Sequence, residues 1–112
     1  MSGFVYDISL PKNTLPTVPF IMRATITVRH LIRVEVMFPD GCVGIVGCAI
    51  QEREVPIVPL NGGWVRGNNE TVVFVVDHRF SGPPWQVSLK AYNLDDTNTH
   101  TLQIRFTIIP DL

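Results

Sequence analysis

From Trp85 to Pro110 the chain reads WQVSLKAYNLDDTNTHTLQIRFTIIP, two runs in which apolar and polar residues alternate. Trp85, Val87, Leu89 and Ala91 alternate with Gln86, Ser88 and Lys90; Leu102, Ile104, Phe106 and Ile108 alternate with Thr101, Gln103, Arg105 and Thr107. A period of two with one apolar face is the pattern of an antiparallel strand that covers a core on one side and meets solvent on the other. The polar segment Asn93 to His100 joins the two runs. The spacing therefore predicts a long hairpin that organises a small β-sandwich, with Leu102, Ile104, Phe106 and Ile108 as its surest core residues.

The rest of the chain follows the same rule. Phe4, Tyr6, Ile8 and Leu10 alternate with Val5, Asp7 and Ser9, which predicts a first strand ending at Pro11. Prolines at 11, 16 and 19 make residues 11–19 an extended arm lying on the surface or reaching onto a neighbouring subunit. Across Ala24 to Phe38, Ile26, Val28, Ile32, Val34, Val36 and Phe38 share one parity, which fits one long bent strand or a hairpin with a three-residue loop at Arg29-His30-Leu31; fifteen residues exceed the usual strand, which favours the hairpin. Pro39-Asp40-Gly41 is a turn. Gly44 to Gln51 and Thr71 to Val76 are strands apolar on both faces, with small residues at Gly47 and Ala49 permitting close approach. Val55 to Leu60 (VPIVPL) reads as an edge strand, because proline cannot donate to a ladder. Trp64-Val65 adds a short strand. No segment has helical periodicity. One domain spanning 1–112, all-β, with two antiparallel sheets of seven or eight strands in a jelly-roll-like sandwich, is the architecture this count supports. An immunoglobulin-like version is disfavoured because the Cys…Trp…Cys spacing is missing.

Composition limits the function. A domain of this size leaves about a third of its unfolded surface exposed, yet only 17% of residues are charged against a usual ~25%. Hydrophobic residues make up 46% and the mean hydropathy is +0.22. No run approaches the ~18 apolar residues of a membrane span, and no secretory leader is apparent at MSGFVYDISL. The apolar excess then points to surface covered by other chains. Net charge is −1 and no basic cluster exists, so neither nucleic acid as a main partner nor an anionic membrane is expected. Cys42 and Cys48 are too few and too far apart along one strand for a disulfide scaffold, so free thiols are expected, with Cys48 in the core. Asn69-Glu70-Thr71 matches a glycosylation sequon. Without a leader it is read as a chance match.

No residue set announces chemistry. Asp95, Asp96 and Asn98 could offer oxygens to Ca²⁺ and His100 could join a transition metal, but the EF-hand pattern is not met, and Asp, Asn and Thr in a loop serve to cap backbone groups. His30, His78 and His100 sit in no ligand or triad spacing, and Cys42 beside a turn makes a poor nucleophile. The expectation is no catalytic residue, no metal site and no cofactor. Trp64, Trp85, Tyr92 and Phe80 raise a carbohydrate-binding alternative, with Trp64 beside Gly62-Gly63 the exposed candidate for stacking on a sugar or for anchoring an interface.

In size, strand count and surface character the whole chain resembles the small single-jelly-roll or β-sandwich structural proteins of virions, such as capsid, decoration and tail components of phages. That resemblance implies a non-enzymatic structural protein that self-assembles, with copies of itself and other virion proteins as partners. It also implies assembly in a host cytoplasm, with contacts made by edge strands, arm and loops. A carbohydrate-binding β-sandwich module is the alternative.

Overall fold

A computed structural model describes residues 2–25, 30–80 and 86–109. Ile26, Val28 and Trp85, assigned above to strand faces, lie outside the described residues. The strands are β1 (Ser2–Leu10), β2 (Phe20–Thr25), β3 (His30–Phe38), β4 (Val46–Glu52), β5 (Val55–Val58), β6 (Val65–Arg66), β7 (Glu70–Arg79), β8 (Gln86–Asn93) and β9 (His100–Ile109), with no helix among the described residues. One sheet runs β1-β9-β3-β7; the other runs β2-β8-β4-β5, with β6 also on β4. Short β5 and β6 share one edge position, so the nine strands of the described residues fill eight places.

All pairings are antiparallel, and they are nested. β1 pairs β9, β2 pairs β8, β3 pairs β7, and β4 pairs β5 and β6. The β9–β3 and β8–β4 ladders join these pairs into two sheets. A long hairpin wrapped in this way so that successive pairs fall alternately in the two sheets is a jelly roll. The expected two-sheet sandwich is thus present.

The last quarter of the chain departs from expectation. Its two strands do not form a hairpin: β8 belongs to one sheet and β9 to the other. Alternation specifies which face of a strand is apolar but says nothing about which strand lies alongside. Residues 94–99 carry the chain across the sandwich, whose sheets stack about 10 Å apart. The same holds for β2 and β3, which also lie in different sheets. His30 and Leu31, expected in a loop, already belong to β3. A bulge between Leu31 and Arg33 shifts the register, so that Leu31 and Val34 both face inward and Ile32 does not keep the parity of Val34.

Side chains from both inner faces form the core. Leu102, Ile104, Phe106 and Ile108 of β9 are fully buried, as expected, with Val87, Leu89 and Ala91 of β8, Val34, Val36 and Phe38 of β3, and Val46, Cys48 and Ile50 of β4. VPIVPL does lie at a sheet edge, as β5. β4 is covered on its outer face at Gly47, which lies under the Tyr92 ring: a Cβ there would sit 2.5 Å from Tyr92 Cε2. β7 is not. Its outward Val73 and Val75 are exposed.

Candidate functional site

The loop Asn93–His100 draws on the polar residues the sequence singles out. Asn93 is fully buried and donates from Nδ2 to Leu10 O and Asn98 O, both at 3.0 Å, while its Oδ1 accepts from Asp95 N. Asp95 Oδ1 accepts from the backbone of Thr97 at 2.8 Å and Asn98 at 3.2 Å, and its Oδ2 bonds His100 Nε2 at 2.9 Å. The Asp96 carboxylate accepts from Thr97 Oγ1. Asp95 and His100 therefore satisfy one another and the turn, and among the described residues no group of three His, Cys, Asp or Glu side chains is placed to hold a metal ion. The proline arm meets this loop at Asn13 and Thr14. Asn13 N donates to Asp95 O, and Thr14 and Asn93 exchange backbone bonds of 2.9 and 2.8 Å. Leu94 N reaches Ile45 O and stitches in the β3–β4 loop.

The His100 bond first, and then the Thr97 N–H, pull the Asp95 carboxyl from an ordinary 3.8 down to about 2. A carboxyl more acidic in the folded state stabilises that state above its unfolded value and loses the effect as pH falls through its folded value. Stability contributed by Asp95 is therefore complete above about pH 4 and gone near pH 2. Urea midpoints measured across that interval should fall less steeply for Asp95→Asn than for the parent protein. Equal slopes would show that the carboxylate does not hold the loop.

The other two histidines of the three also meet carboxylates. His78 on β7 bonds Glu52 on β4 at 2.8 Å, tying one sheet to the other, and stacks edge-on against Phe80 with centroids 5.0 Å apart. His30 pairs with Asp77 across the β3–β7 ladder. Cys42 and Cys48 are buried and unbridged, and burial pushes the Cys48 thiol up to about 12. Burial and the nearby Asp40 charge also raise Cys42.

Of the aromatic residues proposed for stacking on sugars, Tyr92 and Phe80 are buried. Trp64 is half-buried and packs edge-on against Tyr92, centroids 4.9 Å apart. Tyr92 Oη in turn accepts from Arg66 Nε at 2.6 Å. This stack caps the outer face of β4 over Gly47. A shallow groove crosses the same sheet between Ile21, Arg23, Gln51, Arg53, Ser88 and Lys90, with no aromatic in its walls.

The outer face of the β1-β9-β3-β7 sheet is different. Across β1 and β9 it is polar apart from the exposed Val5, and internally bonded: Ser9 to Thr101, Gln103 to Asp7, and Arg105 to Gln103. On β3, Arg33 and Glu35 form an ion pair of 2.8 Å. Toward β7 it turns apolar, with Met37 at 41% exposure, Val73 at 45% and Val75 at 88%. The sequence marked β7 as apolar on both faces. What it could not show is that one face has no cover.

Comparisons with protein families, curated proteins and solved structures return no match. The surface itself is the guide to function.

Proposed function

We propose that this protein is a non-enzymatic structural unit that assembles with copies of itself, as a capsid, decoration or tail component of a virion. The observation that carries the reading is the uncovered apolar surface at the β7 edge of the β1-β9-β3-β7 sheet. Long apolar edge strands are hazards for a solitary protein, which blunts them with charge, proline or a covering segment. Residues 72 to 76 of β7 carry none of these charges or prolines. The jelly-roll wrapping serves capsid subunits but also lectins and cupins, so the fold is compatible with the reading and the surface argues for it. The tied-down histidines, buried thiols and self-satisfied Asp95–His100 pair fit a scaffold better than a reaction centre. Size-exclusion chromatography with light scattering, over a range of concentrations, tests the reading. An oligomer or larger particle is expected; a monomer throughout would overturn it.

A further inference from the structure

β7 is one outer strand of its sheet, and among the described residues its ladder partner is β3. Its centre, Val72-Val73-Phe74-Val75-Val76, reads the same in both directions. Val73 and Val75 point outward and are exposed; Val72, Phe74 and Val76 point inward and are only half-buried, although they pack against the core. Both rows are thus short of a neighbour on the same side.

We infer that β7 pairs antiparallel with β7 of a second copy about a two-fold axis through Phe74, joining the two β1-β9-β3-β7 sheets into one continuous sheet. This rests on the assembly reading and names its interface. A two-fold contact brings the same patch from each copy together, so the patch must complement itself, and an antiparallel pair of identical strands does so when the sequence is palindromic about the axis. With the axis at Phe74, Val73 of one copy faces Val75 of the other on the outer row. Val72 then faces Val76 and Phe74 faces Phe74 on the inner row, while Thr71 faces Asp77 at the margin. The neighbouring registers do worse. An axis at Val75 sets Val73 against Asp77 and Val72 against His78; an axis at Val73 sets Thr71 against Val75 and Glu70 against Val76. Only the Phe74 register closes both apolar rows, and the backbone N–H and C=O groups on the side of β7 away from β3, which have no ladder partner among the described residues, gain partners at the same time.

Cysteine cross-linking reads the register directly. Directly opposed side chains in a ladder lie close enough for a disulfide, whereas positions two residues out of register do not. The native thiols are buried and contribute little background. Under mild oxidation, a mixture of Val73→Cys and Val75→Cys proteins should give a several-fold excess of cross-linked dimer over either protein alone. Cross-linking of Val75→Cys alone or Val73→Cys alone would overturn the Phe74 axis. A second variant, Val75→Lys, alters a side chain that is 88% exposed, so the fold should be kept, as circular dichroism would show, while the assembled species falls to a smaller one. If the parent protein assembles but neither the mixture cross-links nor Val75→Lys alters its mass, the β7 interface is wrong and self-assembly proceeds through another surface. If the parent protein is a monomer, the assembly reading itself fails.

Discussion

Phe106→Ala is expected to cost roughly 3–5 kcal/mol of folding stability. Phe106 sits in β9, which lies between β1 and β3, and its Cα is paired with Phe4 on one side and Val34 on the other. The ring is 1% exposed and meets Tyr6 edge-on with centroids 5.8 Å apart. Truncation removes the burial of the ring and leaves a void that two sheets locked by ladders on both sides cannot collapse into. For a domain whose total stability is on the order of 5–15 kcal/mol, that loss takes a large share. Chemical denaturation should show a midpoint well below that of the parent with an unchanged slope. A loss under about 1 kcal/mol would show that the ring does not fill the centre of the sandwich.

Gly47→Ala should destabilise by about 1–3 kcal/mol, and the penalty should vanish when Tyr92 is also truncated. An added methyl at residue 47 would lie 2.5 Å from Tyr92 Cε2, 2.8 Å from Cζ and 2.9 Å from the hydroxyl. The ring cannot easily retreat, because Trp64 stands against it and Arg66 holds its hydroxyl. Glycine in a strand otherwise carries an entropic cost of roughly 0.5–1 kcal/mol relative to alanine. In a Tyr92→Ala background the clash is gone and that entropic gain remains, so Gly47→Ala should become neutral or stabilising there. Tyr92→Phe keeps the ring carbons and should leave Gly47→Ala destabilising. A four-way cycle of midpoints measures the coupling. Additive effects would mean that the ring and the glycine do not touch.

Particular residues show where the sequence was readable. Leu102, Ile104, Phe106 and Ile108 could be assigned to the core from alternation alone, because a strand's geometry sends successive side chains to opposite faces whatever its neighbours. Prolines at 56 and 59 placed VPIVPL at an edge because a missing N–H is a local property. Gly47 was marked for close approach for an equally local reason. Asn93 was only the start of a polar loop in the sequence. Its burial, with Nδ2 bridging Leu10 and Asn98, depends on β1 and β8 ending at the same corner. Leu31 could not be placed, because a bulge changes parity without leaving a mark in composition. The palindrome around Phe74 was present in the letters, but its meaning depends on β7 lying at the rim of a sheet.

By itself the sequence determined the class: an all-β chain whose strands have known inward faces and whose composition is apolar for its size. These follow from period, turn chemistry and composition, which act over a few residues. Tertiary structure decided which strands meet. It turned the apparent closing hairpin into two strands in opposite sheets, brought the proline arm to the Asn93–His100 loop at Asn13 and Thr14, and left Val73 and Val75 uncovered. Strand pairing and exposure depend on contacts between residues far apart in the chain, and the alternation of any single strand is compatible with several neighbours.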